Sequence, residues 1–494
     1  MSRRTSMPTH SLSLRIAAAL LVAAVSACAP GQVQGGAEQS ASGVGAATTA
    51  SDVMAFVEVN VIPMDRERVL ERQTVIVRNG RIAEIGPAAS VRVPAGAQRI
   101  EGNGRYLMPG LAEMHAHIPS LQAGEQAIAN TLFLYLAGGV TTIRGMLGHP
   151  HHLELRERAA RNEILSPRIY TSGPSFNGNS AQTVEVAERM VREQQQAGYD
   201  LLKIHPGLSR PVFDAMARTA DQVRIPFAGH VPADVGLQRA LEARYSSIDH
   251  LDGYVEALAE GRMPTGAETG FFGSNLMAHI DEGRIPALAA ATREAGVWNV
   301  PTQTLIEHLM SPEDPEAMIR RPEMRYMPQQ TLTQWAQAKR NIRQQTGISD
   351  QDAQRFIEVR RRLIKALHDA GAGLLLGSDA PQFFNVPGFS MQHELPMMVA
   401  AGLTPYQTLE MGTRNPAVFF GAQNEFGTIE VGRSADLVLL EDNPLQDIRN
   451  FERRAGVMVR GRWLPQSEIQ QRLDAVAAAM AGSRLSAEMR KCPI

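Results

Sequence analysis

Cysteine is nearly absent from this sequence, with two in 494 residues. That scarcity excludes a disulfide-stapled scaffold and a cysteine-built zinc ribbon. A charge excess is missing as well. The 49 basic and 51 acidic residues leave a formal net charge of −2, which gives no footprint for nucleic acid. The chain also lacks long apolar runs of multi-span type, and its longest one near the N-terminus is too short to span a bilayer comfortably. With 44% apolar and 20% charged residues the composition is that of an ordinary globular protein, neither disordered nor fibrous. At roughly 150 residues per domain, the length allows about three domains. What the chain does contain is 13 histidines, and the question is where they sit.

Residues 1–28 read as an address. Arg3, Arg4 and Arg15 precede the apolar run IAAALLVAAV that starts at Ile16, and Val25-Ser26-Ala27-Cys28 follows. Small residues before a cysteine at this point resemble a bacterial lipobox, so the expectation is a lipoprotein signal with Cys28 lipidated. The plainer alternative is an ordinary signal peptide cleaved near Ala27. Ala29 is not aspartate, which makes outer-membrane sorting the default. The expected location is therefore the bacterial envelope, facing the periplasm, with membrane contact only through the lipid. Residues 29–50 are Gly, Ala, Ser and Gln without periodicity, the composition of a flexible tether.

Residues 51–107 read as β structure. Val57, Val59 and Val61 alternate with polar or small neighbours, and Asn79-Gly80 between VIVR and RIAEI predicts a hairpin with a type I′ turn. From 108 to 425 short apolar runs alternate with helical stretches. Eight runs start at Leu111, Val140, Arg168, Leu201, Phe227, Ser246, Trp298 and Leu374. Repeated strand–helix units imply a parallel sheet, and eight of them imply a TIM (β/α)8 barrel. Residues 311–350 are polar and rich in Pro and Gln, the pattern of a lid or substrate loop. Residues 426–465 turn β again. The expected fold is thus α/β: a barrel with a small discontinuous β-sandwich domain built from both flanks, followed by a helical tail over 466–494.

Metal-ligating residue types gather at the carboxyl ends of the expected barrel strands, which is the active-site face of such a barrel. His115 and His117 end the first, Lys203 and His205 the fourth, His230 the fifth, His250 the sixth and Asp379 the eighth. His115 and His117 share one face of a strand, because side chains alternate with period two. Singly, each has an ordinary reading: a strand-end His as structural support, Asp379 as a helix cap, Lys203 as a chain reaching for solvent. Together, on one end of one barrel, they do not. Imidazoles and a carboxylate suit zinc first, with nickel, manganese or cobalt as alternatives.

The segments NGRIAEIGP, GRYLMPGLAEMHAH, GYDLLKIH, AGHVP, SIDHLDGY, LLLGSDAP and GTIEVGRSADLVLLEDNPL, in this order, resemble the amidohydrolase superfamily. The likeness covers residues 54 to 465. Lys203 resembles the bridging lysine of the binuclear subtype, in which a carboxylated lysine joins two metals about 3.5–4 Å apart. The resemblance implies His115, His117 and Asp379 on the more buried metal, His230 and His250 on the more exposed one, and Lys203 on both. It also implies attack by a metal-bridging hydroxide, with Asp379 as the catalytic proton carrier. The mononuclear deaminase subtype is the nearest competitor. It adds a catalytic Glu near a His, and His393-Glu394 lies after Asp379, outside the expected order.

Within the superfamily the likeness is to prolidase-like and imidazolonepropionase-like members. It implies a small-molecule amide or peptide substrate, either a dipeptide or an N-acyl amino acid. A cyclic-amide or lactone hydrolase, or a non-catalytic binding lipoprotein, is the alternative. Many prolidase-like members place a tyrosine after the fifth-strand His, whereas here the chain reads His230-Val231-Pro232. Tyr254 or Arg144 is the candidate substitute for carboxylate recognition. His205 is either a substrate hydrogen-bonder or a support beneath the site. The oligomeric state stays open, a homo-oligomer included.

Overall fold

The structure is a computed structural model that describes residues 53–489 apart from 265. The leader, Cys28 and the tether lie outside the described residues. Five strands open the described chain: β1 (Val53–Val61), β2 (Leu70–Arg78), β3 (Arg81–Pro87), β4 (Gln98–Glu101) and β5 (Tyr106–Pro109). Asn79 and Gly80 join β2 to β3 with φ of 51° and 74°, the two positive values a type I′ turn requires. Gly80 is needed for a second reason: a Cβ there would sit 2.7 Å from the Arg460 carbonyl oxygen.

Seven parallel strands follow: β6 (Leu111–Ala116), β7 (Val140–Gly145), β8 (Arg168–Thr171), β9 (Leu202–Ile204), β10 (Phe227–Gly229), β11 (Ser247–Asp249) and β12 (Trp298–Val300). Then come β13 (Leu437–Leu440), β14 (Arg454–Val459) and β15 (Arg462–Pro465), and a last helix, Gln466–Met489. Both flanks join one sheet in the order β15-β14-β13-β5-β1-β2-β3, with β4 on β1. This corrects the expected sandwich of two stacked sheets. The β3 edge reaches back to the chain just before β13 through the Arg81–Ser434 bridge, and the curled sheet encloses Phe56, Val75, Val77, Leu107, Leu437 and Met458. Val59 and Val61 join this cluster with Phe56, whereas Val57 packs in a separate cluster with Ala55 and Ile76, because the β1 register shifts between Phe56 and Val59.

The parallel strands form two regular sheets, β6-β7-β8 and β12-β11-β10-β9, and their ladders do not close. Single parallel bridges span the gaps: Ser172–Leu201 between the two sheets, Asn299–Leu374 beyond β12, and Ala116–Ala380 beyond β6. The run at Leu374 was expected as a strand. It is extended chain instead, held by Leu375 N–H on Asn299 O, Met114 N–H on Leu376 O and His117 N–H on Ala380 O, at 2.8–2.9 Å. Two glycines let the chain pass close to its neighbours here. A Cβ at Gly373 would strike the Trp298 ring at 2.3 Å, and one at Gly377 would meet Val300 at 2.5 Å.

Helices pack outside the strands. That at Val184–Ala197 is capped by Thr183, whose hydroxyl accepts the Val186 N–H, and it ends at Gly198 with φ of 82°. Residues 311–350 are helical and partly buried rather than a bare loop. They carry the helices Pro315–Met318 and Gln329–Thr346, and bury Met318, Met324, Tyr326, Leu332 and Trp335. Tyr326 stacks on Phe389 at 5.0 Å, so the insertion packs against the chain that follows Asp379. Among the described residues no helix is long and apolar enough to cross a membrane.

Candidate metal centre

The carboxyl ends of β6, β9, β10 and β11 converge with residue 379 on one cluster. His115 on β6 and His117 just past it have ring centroids 5.4 Å apart. Asp379 Oδ1 lies 3.3 Å from His115 Nε2 and 2.5 Å from His117 Nε2. Lys203 Nζ, from the middle of β9, is 3.4 Å from His115 Nε2. The His250 ring is 4.5 Å from that of His115 and 4.6 Å from that of His230. Ligand atoms of His115, His250 and Asp379 all fall within 4.8 Å of one another. All six residues named from the sequence as ligands therefore come together.

Each of three imidazoles is steered through its Nδ1. Asp249 Oδ2 lies 3.0 Å from His115 Nδ1, as a close polar contact off the hydrogen-bond line. Asp252 Oδ2 is 3.1 Å from His230 Nδ1, and Thr302 Oγ1 is 2.8 Å from His250 Nδ1. A partner on Nδ1 fixes ring orientation and leaves Nε2 for the cluster. Burial holds His115 and His250 well below the usual imidazole range, so both are neutral, the form that ligates. Burial also pushes the Lys203 ammonium down to about 8, against the pull of Asp249 and Asp379. For Asp249 burial acts to raise the pKa, but Arg144, Lys203 and His250 outweigh it and keep the carboxylate low.

The three candidate substrate contacts fare differently. His205 stands beside the cluster, its ring stacked 5.2 Å from His230, and its Nδ1 is buried without a hydrogen-bond partner. Arg144 does not face a substrate. It is fully buried and its guanidinium is used up on Met114 O at 2.7 Å, Ser247 Oγ at 2.9 Å and Asp249 Oδ1 at 3.1 Å. Tyr254 is fully buried too, with its hydroxyl 2.8 Å from Thr292 Oγ1 between two helices. Both corrections have one cause: a polar side chain at a strand end or helix start turns inward where a buried partner awaits it.

Several residues of the site had not been singled out. Glu113 accepts from Ser378 N–H at 2.8 Å, from His115 N–H at 3.0 Å and from Ser378 Oγ at 2.6 Å, which pins the 378–379 backbone to β6. Burial raises its carboxyl to about 8. Gln382 Nε2 approaches His117 Nε2 at 3.2 Å. Phe272, with φ of 52°, lays its ring parallel to His230 at 5.9 Å and beside His250 at 5.4 Å. Period two within SID did signal that Ser247 and Asp249 share a face; the others carried no local signal. Glu394, the carboxylate of the deaminase alternative, accepts the Gln303 and Thr304 N–H groups and does not enter the cluster.

An α/β scaffold that converges imidazoles, a lysine and a carboxylate at its strand ends defines a metal-binding hydrolase class. The chain belongs to the Amidohydrolase family, whose model matches residues 106–464. It is similar to an adenine deaminase of Ruegeria sp. (strain TM1040), 24% identical over 76% of this chain, and the match spans about half (52%) of that protein. Among solved structures it resembles a putative prolidase from Bifidobacterium longum, with a TM-score of 0.63, 24% identity and coverage of 86% of this chain and 99% of that one. It also resembles the bottromycin amidohydrolase, with a TM-score of 0.66, 22% identity and coverage of 87% and 91%. At these identities the structures speak for the fold. The family uses divalent metals, and the donor set fits them: neutral imidazoles steered by Nδ1 partners, with a carboxylate within 4.8 Å of two of them.

Proposed function

We propose that this protein hydrolyses an acyclic amide or peptide bond in a dipeptide or N-acyl amino acid. In this reading the strands close as a (β/α)8 barrel, which the Asn299–Leu374 and Ala116–Ala380 bridges support. The carrying observation is the position of Lys203 Nζ, wholly buried and 3.4 Å from His115 Nε2 within a cluster that holds every expected ligand. Two divalent ions, zinc first, would supply Lewis acidity, lowering the pKa of water and polarising the scissile carbonyl.

The chain's own residues do the rest. His115, His117 and Asp379 would hold one ion, and His230 and His250 the other. Lys203, whose burial favours the unprotonated, nucleophilic amine, would add to carbon dioxide through Nζ. The new N–C bond would release one proton and give an anionic carbamate whose oxygens would help to hold both ions. Asp379 reaches His115 and His117 with one oxygen, so it is placed to take a proton from water and give it to the departing amine. His205 lies beside His230 with an unpartnered Nδ1, which suits a hydrogen bond to substrate. Similarity to a putative prolidase supports a dipeptide. Lipidation at Cys28 and an envelope location are a separate part of the proposal, resting on the leader pattern.

The test pairs metal content with a substrate panel. Wild type is expected to carry two ions per chain, and Lys203→Ala one at most, with activity partly restored by small carboxylic acids. Two ions retained in Lys203→Ala would refute the bridge. Dipeptides, N-acyl amino acids, lactones, cyclic amides and adenine are assayed side by side, and no turnover of any acyclic amide would sink the substrate assignment.

A further inference from the structure

The pair His393-Glu394 stands out in the sequence and has no part in the chemistry above. Glu394 comes from the helix Met391–Ala400 and is wholly buried. Its two oxygens accept the N–H groups of Gln303 at 3.0 Å and Thr304 at 2.7 Å. These are orphan donors at the start of the helix Gln303–Met310. The residue before them, Thr302, has φ of 45° and ψ of 47°, a left-handed conformation that a β-branched side chain rarely takes. Such a conformer persists only where its surroundings over-determine it.

A second buried side chain closes the clamp. Arg360, on the helix Asp350–Ala370, donates to His250 O at 2.7 Å, to Pro301 O at 2.9 Å and to Gln303 Oε1 at 3.1 Å. It thereby ties the His250 turn, itself at φ of 63°, to the Thr302 turn. The consequence falls on one proton. Pro301 O can only accept, so the Thr302 hydroxyl hydrogen has an acceptor there at 2.8 Å, and Oγ1 is placed to accept from His250 Nδ1, also 2.8 Å away. His250 Nδ1 then carries the hydrogen, and Nε2 keeps its lone pair.

The geometry points to Glu394 and Arg360 as positioning residues that hold Thr302 left-handed, so that its hydroxyl fixes the ligating tautomer of His250. This inference rests on the metal-binding reading of the cluster. It extends that reading to side chains that touch neither metal nor substrate.

The test uses the full chain and zinc alone, with affinity measured by chelator competition and folding by circular dichroism. Thr302→Val keeps the shape and removes the hydroxyl, and is expected to weaken zinc at one of the two sites about 10–100-fold. Thr302→Ser restores the hydroxyl and is expected to bind as wild type. Glu394→Gln presents an amide donor to one backbone N–H and is expected to show a smaller loss in the same direction, so the inference survives a Thr302 variant that misfolds. Wild-type zinc affinity in both Thr302→Val and Glu394→Gln overturns the clamp while leaving the metal centre intact. So does equal weakening in Thr302→Ser and Thr302→Val, which marks a packing effect. A wild-type chain that binds no zinc overturns the metal reading and the clamp together.

Discussion

Replacing Arg144 with methionine tests the electrostatics beneath the metal centre. Asp249 is wholly buried, and its carboxylate is surrounded by Arg144 at 3.1 Å, Ser247 Oγ at 2.8 Å, His115 Nδ1 at 3.0 Å and Lys203 at 3.8 Å. Arg144 is the nearest fixed cation, since burial moves Lys203 toward its neutral form. Arg144→Met therefore strands a carboxylate, and breaking a buried pair from one side costs about 3–5 kcal/mol. With a urea m-value of about 3 kcal/mol/M, the midpoint of the metal-free protein should fall by about 1–1.7 M at unchanged slope. Adding Asp249→Leu removes the stranded charge. The double variant leaves Ser247 and Met114 O without partners, at about 1–3 kcal/mol, so it should regain about 2 kcal/mol, or about 0.7 M. It should nevertheless bind zinc about 10–100-fold more weakly, because His115 has lost the carboxylate that lies beside its Nδ1. Circular dichroism against urea reads the first effect, and chelator competition reads the second. A double variant no more stable than Arg144→Met would refute the stranded-charge argument. A midpoint unmoved in Arg144→Met would refute the pairing itself.

Two further outcomes follow from the same contacts. Asp379→Asn should retain most of its metal, since the amide oxygen can still face His115 and His117, yet lose hydrolysis by about 10²–10⁴-fold as proton transfer is removed; turnover like wild type would discharge Asp379 from that role. The second outcome concerns pH. Burial raises the Glu394 carboxyl to about 8, against the pull of two backbone N–H groups, with Glu113 and Glu307 adding repulsion and Arg360 attraction. Because the folded pKa lies above the unfolded value, the folded chain holds this proton between pH 4.5 and 8 where the unfolded chain has lost it, and stability falls as pH rises through that window. The urea midpoint of wild type relative to Glu394→Gln should therefore decline from pH 4.5 to 8, and a flat difference would show that Glu394 titrates normally.

The residues that cluster were legible because their types are conspicuous at the ends of apolar runs. His115 and His117 obey period two, and a lysine in an apolar strand is rare enough to notice. What sequence could not supply was the partner of each polar group. Arg144 finds Asp249 at a separation of 105 residues, and Arg360 finds His250 at 110. Such pairings depend on which helix packs over which strand end, and no local pattern records them. The sandwich expectation failed for a related reason. The apolar residues of β1, β2 and β13 show that these strands are buried, but not whether a second sheet or a bend in the same sheet buries them. The insertion misled through composition, since its polar residues outnumber the few apolar anchors, Met318, Tyr326 and Trp335, that decide its packing.

Alternation also breaks where the chemistry lies, and the break has a common form. Asp249 and His250 are consecutive, so an extended strand would send them to opposite faces, yet both face the cluster. A φ of 63° at His250 turns its side chain back inward. Asp379, beside the buried Ser378, has φ of 66° and does the same. Two of the six expected ligands thus occupy left-handed conformations that cost energy in isolation and stand because neighbours hold them: Arg360 on the His250 carbonyl, and Glu113 on the Ser378 N–H and hydroxyl. The arrangement orders the ligands through the packing of the whole fold. Side-chain entropy that a flexible site would lose on binding is already lost on folding, and burial already holds His115 and His250 well below the usual imidazole range. The strained turns are therefore the physical reason that residues so far apart in sequence meet in one cluster, and in the metal-binding reading proposed above its affinity would be set by partners that touch only those residues.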